Sequence, residues 1–365
     1  MITPRFYFAT CQVGAEKVVK AEILNEFPHL KFAFSRPGFI TFKEDDDQRP
    51  IIHQTHGVFT RLWGKSIGQA KDPSALIELI QGLADAVPEI NKNTGKTHIK
   101  IHAFERDCHL PGDEPEDFVA NEKIQNIKKT LYEALPENAK ALFQWNFSPS
   151  LGERIFDLIW IDDFHVFLGS HIHGPHLDAA PGNMPKIHLP SHSPARSYLK
   201  IAEAIHRFKP KIEKGMHVLE IGCSPGGATT ALLGLGLKVT GIDPKFMDQS
   251  LYSQPNFTFI QKTALTVTSE DLTSINPDWI VMDMNIAPLE ALDELGHIID
   301  CLRGIWKEKL KLKQGFLTIK LNDWSFSQSI PLYLKRLKEK GFYDLTATQL
   351  YSNKQEFFVI AKSFR

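Results

Sequence analysis

The sequence predicts an α/β protein whose second half is a doubly wound, mostly parallel sheet with an antiparallel last strand, preceded by an α+β region. Three observations carry this. From Pro194 onward, short apolar runs alternate with amphipathic helical segments, the pattern of a sheet covered on both faces. The first of these runs ends in a glycine-bearing loop that opens a helix, LEIGCSPGG over 219–227. The last two runs are separated only by a turn around Asn353-Lys354, too short for a crossover, so they form an antiparallel hairpin.

In chain order, FYFATC reads as a strand, GAEKVVKAEILNEF as an amphipathic helix, and FAFSRPGFITF as two strands around a Pro-Gly turn. Asp72-Pro73-Ser74 is a helix start. It is followed by the helix ALIELIQGLADAV, the strand THIKIHAF and the helix FVANEKIQNIKKTLYEAL. ERIFDLIWIDDFHVFLGS closes the half as a hairpin turning at Asp162-Asp163. The stretch from Ser170 to Pro194, rich in His, Pro, Gly and Ser, reads as a surface connector. In the second half the elements run helix SYLKIAEAIHRF, strand HVLEIG, helix GATTALLGLG, and strands KVTGID, FTFIQ and DWIVMDM. Helix LEALDELGHIIDCLRGIW, strand GFLTIKL, helix SQSIPLYLKRLKEK and the strands YDLTATQLYS and EFFVIAK complete it. The expected organisation is an α+β subdomain at 1–70, a second at 71–172, a linker at 173–193 and the α/β domain at 194–365.

At 365 residues and 42% hydrophobic content the chain is long enough for more than one globular core. Its start, MITPRFYFATCQVG, lacks the pattern of a signal peptide, and no apolar run reaches the length of a spanning helix. The expected location is therefore the cytoplasm. The cysteines, Cys11, Cys108, Cys223 and Cys301, are scattered and form no CxxC pair, which points to free thiols. His171, His173, His176, His188 and His192 crowd the connector. No carboxylate or cysteine stands at tight ligand spacing, so substrate contact is favoured over metal binding. A formal charge of −1 leaves nucleic-acid binding to local basic clusters.

Gly222 frees the backbone to turn, and Gly226 and Gly227 admit a close approach. Asp243, ending the second strand of this half, stands where a carboxylate would accept hydrogen bonds from a ribose diol. The pair marks an adenosine-type cofactor. There is no GxxxxGK[ST] for a triphosphate, and the third glycine spacing of GxGxxG is absent, so phosphate-bearing nucleotides are disfavoured. The carboxyl ends of parallel strands share one rim, which brings Asp283 and Lys320 to the same crevice. Glu356 begins the antiparallel strand beside Lys320, and Lys200 lies on the helix preceding the first strand. Charges placed directly after buried-type strands ask for a functional explanation.

EIGCSPGG resembles the first motif of S-adenosylmethionine-dependent methyltransferases. RSYLKIAEA, EIGCSPGG, IVMDMN, LTIKLN and EFFVIAK fall in the order of the motifs of the FtsJ-type ribose 2'-O-methyltransferases, over most of 195–363. The resemblance implies a Rossmann-like fold and the cofactor S-adenosyl-L-methionine. It implies that Lys320 is the proton acceptor of a tetrad completed by Lys200, Asp283 and Glu356. Ser197, Gly222, Ser224, Pro225, Gly226, Gly227, Asp243 and Asp283 would line the cofactor site. The likeness extends to VGAEKVVKAEI and THIKIHAFERD, which resemble the N-terminal region of the bacterial enzymes that methylate a cytidine ribose of 23S ribosomal RNA. That region includes a ferredoxin-like subdomain and an RNA-binding THUMP domain, so the implied partner is 23S rRNA or its precursor. One departure is Thr263, standing where the family usually has an acidic residue near the adenine.

A lysine base works only when neutral, and the free pKa of about 10.4 is above the range of efficient bases. Lys200 and desolvation would lower that of Lys320, whereas Asp283 and Glu356 would raise it. Candidate RNA contacts are Arg207, Lys209, Lys211 and Lys214, then Lys335, Arg336, Lys338 and Lys340, and in the first half Lys96, Lys100, Arg106, Lys128 and Lys129. Trp324 is a candidate for stacking on a base. Two other functions compete: a methyltransferase for a protein or small molecule, and a non-catalytic RNA-binding protein that keeps the cofactor pocket as structure.

Overall fold

The computed structural model describes residues 4–46, 48–86, 98–109, 125, 129, 131–135, 137–162 and 165–365. The chain divides into two compact units, Met1–Lys186 and Ile187–Arg365. Their boundary falls within the expected connector. Among the described residues no helix is long and apolar enough to cross a membrane.

The first unit is built on an eight-stranded sheet. Its strands are β1 (Arg5–Thr10), β2 (Lys31–Arg36), β3 (Phe39–Glu44), β4 (Leu62–Ala70), β5 (Ile99–Glu105), β6 (Phe143–Trp145), β7 (Arg154–Asp162) and β8 (His165–Ile172). Their order is β2-β3-β1-β4-β8-β7-β5-β6. Helix α1 (Glu16–Glu26) follows β1, and α2 (Pro73–Asp85) follows β4. The helix start at α2 is made as the sequence predicts: the Asp72 carboxylate accepts a hydrogen bond from the Ala75 N–H at 2.9 Å, and Pro73 opens the first turn. The expected helix over 118–135 lies largely outside the described residues, as does Asp163 at the expected hairpin turn.

Two features of this unit differ from the sequence reading. Strand β4 was not expected, because LWGKSIGQA has no apolar alternation. It forms because β1 pairs with it on one side and β8 on the other. Gly64 is required there, since a Cβ would come within 2.6 Å of the Phe8 ring and the Ser170 carbonyl oxygen. The stretch from Ser170, read by composition as surface connector, also begins inside the sheet. Strand β8 runs on through His171, and both His171 and His173 are buried rather than on the surface. The reason is a partner: His171 Nδ1 lies 2.6 Å from the Asp157 carboxylate, itself fully buried on β7.

The second unit has the seven-stranded order β11-β10-β9-β12-β13-β15-β14. Its strands are β9 (His217–Ile221), β10 (Lys238–Ile242), β11 (Phe257–Ile260), β12 (Trp279–Asp283), β13 (Gln314–Lys320), β14 (Phe342–Thr348) and β15 (Glu356–Phe364). All neighbours from β11 to β13 are parallel, and β15 runs antiparallel to both β13 and β14. The α/β class and the antiparallel close are thus as the sequence predicts. After the short helix α3 (Glu137–Lys140) of the first unit come α4 (Ser197–Phe208), α5 (Gly227–Gly234), α6 (Pro288–Trp306) and α7 (Ile330–Glu339). One core places Ile201 and Ala204 of α4 and Ala228, Ala231 and Leu232 of α5 against the strands.

Candidate active site

The sheet face under α4 carries alternate residues of four strands. Register pairs Val218 with Trp279, Glu220 with Val281, Asp283 with Thr318, and Lys320 with Glu356. Side chains alternate with period two, so these residues and Phe316, Phe358 and Ile360 share that face. The apolar ones pack against α4. The stripe turns polar where the parallel strands end, and Lys200, one position before Ile201, reaches that end from the helix.

There the four charges interlock. Lys200 Nζ lies 2.8 Å from Asp283 Oδ2 and 2.7 Å from Glu356 Oε1. Lys320 Nζ lies 3.3 Å from Asp283 Oδ1 and donates to Glu356 Oε2. Exposure grades across the cluster: the side chain of Glu356 is 1% exposed, Lys200 11%, Asp283 13% and Lys320 20%. Lys320 is therefore the member most open to an incoming group, and Glu356 is the buried anchor.

Two residues that the sequence reading missed hold this anchor. Asn353, fully buried, donates from Nδ2 to Glu356 Oε1 at 3.0 Å and accepts the Leu350 N–H at 2.8 Å. Glu203, one turn along α4 from Lys200, accepts the backbone N–H groups of Tyr351 and Ser352 at 2.8 and 2.9 Å and the Ser352 hydroxyl at 2.7 Å. The helix bearing Lys200 is thereby tied to the turn that precedes Glu356. The Lys200-to-Glu203 spacing on one helical face is the only sequence signal for it.

Burial opposes the charge on Glu356, but the ammonium groups of Lys200 and Lys320 outweigh it and hold the carboxyl low, at about 2. At Lys320 burial pushes the amine down, and the charges of Asp283 and Glu356 more than reverse this, holding it well above the ordinary lysine value. The carboxylates thus win the opposition that the sequence left open. Free of substrate, Lys320 is an ammonium.

The loop after β9 adjoins the tetrad. Gly222, at φ +81°, sits so close to β12 that a Cβ would meet the Asp283 carbonyl oxygen at 2.7 Å. Ser224 donates its N–H to Asp243 Oδ2 at 3.0 Å, and Lys245 donates its N–H to Asp243 Oδ1 at 2.8 Å. Pro225 follows Ser224 through a cis peptide, and Gly226 has a φ of +120°. The Ser197 hydroxyl accepts the Ala228 N–H at 3.2 Å, and a Cβ on Gly227 would come within 2.4 Å of the Ala195 carbonyl oxygen. The two glycines therefore first admit the chain's own segments, Leu251 at Gly226 and 195–197 at Gly227. All eight residues expected around a cofactor form one contiguous rim.

Residues 194–362 match the FtsJ-like methyltransferase family. The second unit is an FtsJ-like methyltransferase domain. Its cofactor is S-adenosyl-L-methionine. The chain is 28% identical over 211 residues to the ribosomal RNA large subunit methyltransferase M of Psychromonas ingrahamii, a match covering 55% of each chain. It is 29% identical over 186 residues to the protein of the same name from Yersinia enterocolitica, covering 48% of each. The chain thus spans about half the length of the curated relatives it matches. A ribosomal RNA methyltransferase structure from Plasmodium falciparum aligns at 19% identity over 47% of this chain and 97% of that one, with a TM-score of 0.34.

The rim of the FtsJ-like domain fits this cofactor by the chemistry of its side chains. Each Asp243 oxygen accepts one backbone N–H and keeps a second lone pair, as a ribose diol requires. The carboxylates of Asp243 and Asp283 suit a cationic sulfonium better than a phosphate. Thr263 hydrogen-bonds Thr266 at 3.0 Å, and Glu294 of α6 brings a carboxyl to the adjacent Ala264 N–H. Among the described residues no His, Cys, Asp and Glu group could hold a metal ion.

The expected basic clusters fare differently. Arg207 is not a surface cation: its side chain is 4% exposed and pairs with Glu203 at 3.4 Å. Lys211 pairs with Glu213, Lys335 with Glu339, Arg336 with Asp293, Lys340 with Asp300, and Lys100 with Glu153. Lys96 and Lys128 lie outside the described residues. Trp324 is half-buried at the start of the turn beyond Lys320.

Proposed function

We propose that this chain transfers a methyl group from S-adenosyl-L-methionine to a ribose 2'-hydroxyl of large-subunit ribosomal RNA, a cytidine of 23S rRNA, with Lys320 accepting the proton. The observation that carries this reading is the tetrad. Two lysines are locked by two carboxylates at the strand ends of a methyltransferase domain, and Lys320 is the more open of the two lysines. The relatives' name supports ribosomal RNA as the substrate, and the resemblance of the first unit to an RNA-binding THUMP region supports an RNA-holding role for it.

Glu356, fixed by Asn353 and by the Lys354 N–H, holds one amine on each of its oxygens. Asp283 bridges them from the other side. Ser197, Ser224, Gly226, Gly227 and Asp243 would hold the cofactor, which when bound supplies an electrophilic methyl group. Lys320 removes the hydroxyl proton onto Nζ as the ribose oxygen becomes nucleophilic, and Lys200 and the two carboxylates fix its position. Positioning and electrostatics supply the catalysis. Because Lys320 is protonated at rest, the reaction selects its neutral form, and the rate rises with pH.

The test is transfer of labelled methyl from S-adenosylmethionine to unmodified large-subunit RNA, followed by alkaline hydrolysis. Label in one alkali-stable dinucleotide supports ribose methylation. Label on a base, or only on protein or a small molecule, overturns it.

A further inference from the structure

A cavity of about 710 Å³ opens in the first unit between the start of β1, β2, β4 and β8, within the roughly 300–1,000 Å³ of ligand sites. Its origin is local. Strand β1 pairs with β4 only as far as Lys65, and the pairing of β4 with β8 shifts between Ser66 and Gly68. Beyond Lys65, β4 therefore has a neighbour on one side only, and the gap is walled by Phe6, Phe34, Lys65, Ile67, Lys71 and Arg5.

Two properties of the wall point to one kind of occupant. The first is unbalanced positive charge. Among the described residues neither Lys65 nor Lys71 has an ion-pair partner, unlike the paired lysines of the second unit. Lys65 is pushed below the ordinary lysine value by burial and then by Arg5 and Arg154, so an anion placed there relieves a like-charge cost. Among the described residues no Asp or Glu lines the gap, and the charge of Arg5 is met by Glu44 at 3.2 Å. The second is flat apolar surface open to solvent. Phe6 is 38% and Ile67 46% exposed, and the Arg36 guanidinium lies 4.8 Å from the centre of the half-buried Phe34 ring. Cations without carboxylates beside an exposed aromatic ring such as Phe6 are the means by which proteins hold single-stranded nucleic acid, phosphate on the amines and base on the ring.

We propose that this cavity is a single-stranded RNA site, where Lys65 and Lys71 take backbone phosphate and Phe6 stacks a base. The proposal rests on the reading that the substrate is RNA, and it adds a recognition site that takes no part in methyl transfer. His165, whose Nε2 lies 2.8 Å from the Gln69 amide oxygen, presents its other ring nitrogen as an acceptor for a base edge.

The experiment measures binding of fluorescein-labelled single-stranded oligouridine to the full chain across a salt series, beside cofactor binding and methyl transfer. The variants are Lys65→Gln with Lys71→Gln, Phe6→Ala, and Lys309→Gln, an exposed lysine of the second unit, as a control. The double lysine variant is expected to weaken binding and to flatten the slope of log affinity against log salt by about 1.4, two phosphates at about 0.7 each. Phe6→Ala is expected to weaken binding by between about fivefold and a hundredfold with the slope unchanged. Wild-type affinity and slope in both variants, with cofactor binding intact to certify folding, would overturn the site. Loss of polyglutamate binding with oligouridine binding unchanged would also overturn it, in favour of an acidic peptide. Absence of methyl transfer with the expected binding pattern would refute the enzymatic reading and leave the RNA site standing.

Discussion

Glu220 is a buried carboxyl that no charge supports. It is 1% exposed on β9, and the Thr229 hydroxyl of α5 donates to its Oε2 at 2.7 Å. Burial raises its pKa from 4.5 to about 8, the Thr229 bond offsets part of this, and the negative charges of Asp283 and Asp243 add to it. At pH 7 it is mostly protonated when folded and ionised when unfolded. A raised folded pKa means that its contribution to stability is fully present below pH 4.5 and is lost as pH rises to about 8. At about 1.4 kcal/mol per pH unit, the 2.5 units between 4.5 and 7 cost on the order of 3 kcal/mol. Glu220→Gln keeps the shape and the acceptor for Thr229 and cannot ionise. It should match the wild type near pH 4.5, exceed it by about 3 kcal/mol near pH 7, and gain no more above about pH 8. Urea unfolding across this range, following the transition that shifts with S-adenosylmethionine, measures it. Parallel stability curves for the two proteins, or a variant less stable at neutral pH, would refute the reasoning and mean that Glu220 is held as an anion.

Three further outcomes are expected. Asn353→Ala removes the amide that fixes Glu356 and leaves the Leu350 N–H unpaired. It should cost about 1–3 kcal/mol in unfolding free energy and lower kcat with cofactor affinity little changed, as calorimetry and single-turnover assays would report. Gly227→Ala forces a Cβ to within 2.4 Å of the Ala195 carbonyl oxygen. It should displace the 195–197 segment and weaken cofactor binding more than Ala substitution at Ser224, a comparison for equilibrium dialysis. Because Asp283 and Glu356 hold Lys320 protonated, the single-turnover rate should climb about tenfold per pH unit through the neutral range. A rate flat from pH 6 to 9 would exclude Lys320 as the base.

The meeting of Asp283, Lys320 and Glu356 was legible because topology sets it. Parallel strands end on one rim, and a hairpin too short to cross over must return antiparallel, which puts Glu356 opposite Lys320. The supports were not. Asn353 looks like an ordinary turn residue, and only the fold reveals that it is buried under a carboxylate. Arg207 looked like a surface cation because charge in sequence does not disclose a partner, and here Glu203 buries it. In the first unit β4 was invisible because two glycines interrupt its pattern: Phe8 leaves no room for a Cβ at Gly64, and Leu79 crowds the one at Gly68. The cavity was hidden with it, since Lys65 and Ile67 belong to that strand. His171 and His173 read as loop residues by composition, whereas Asp157, distant in sequence, draws His171 into the sheet.

The most direct test of the central claim is single-turnover methyl transfer to large-subunit RNA by wild type, Lys320→Ala and Lys320→Arg, with cofactor affinity measured on the same samples. The account predicts a fall of about 10²–10⁴-fold in both variants, with cofactor affinity within about threefold of wild type, since the one rim residue that Lys320 touches, Asp283, keeps Lys200 as its partner. Turnover near the wild-type rate in Lys320→Ala would contradict it and move the proton acceptor elsewhere.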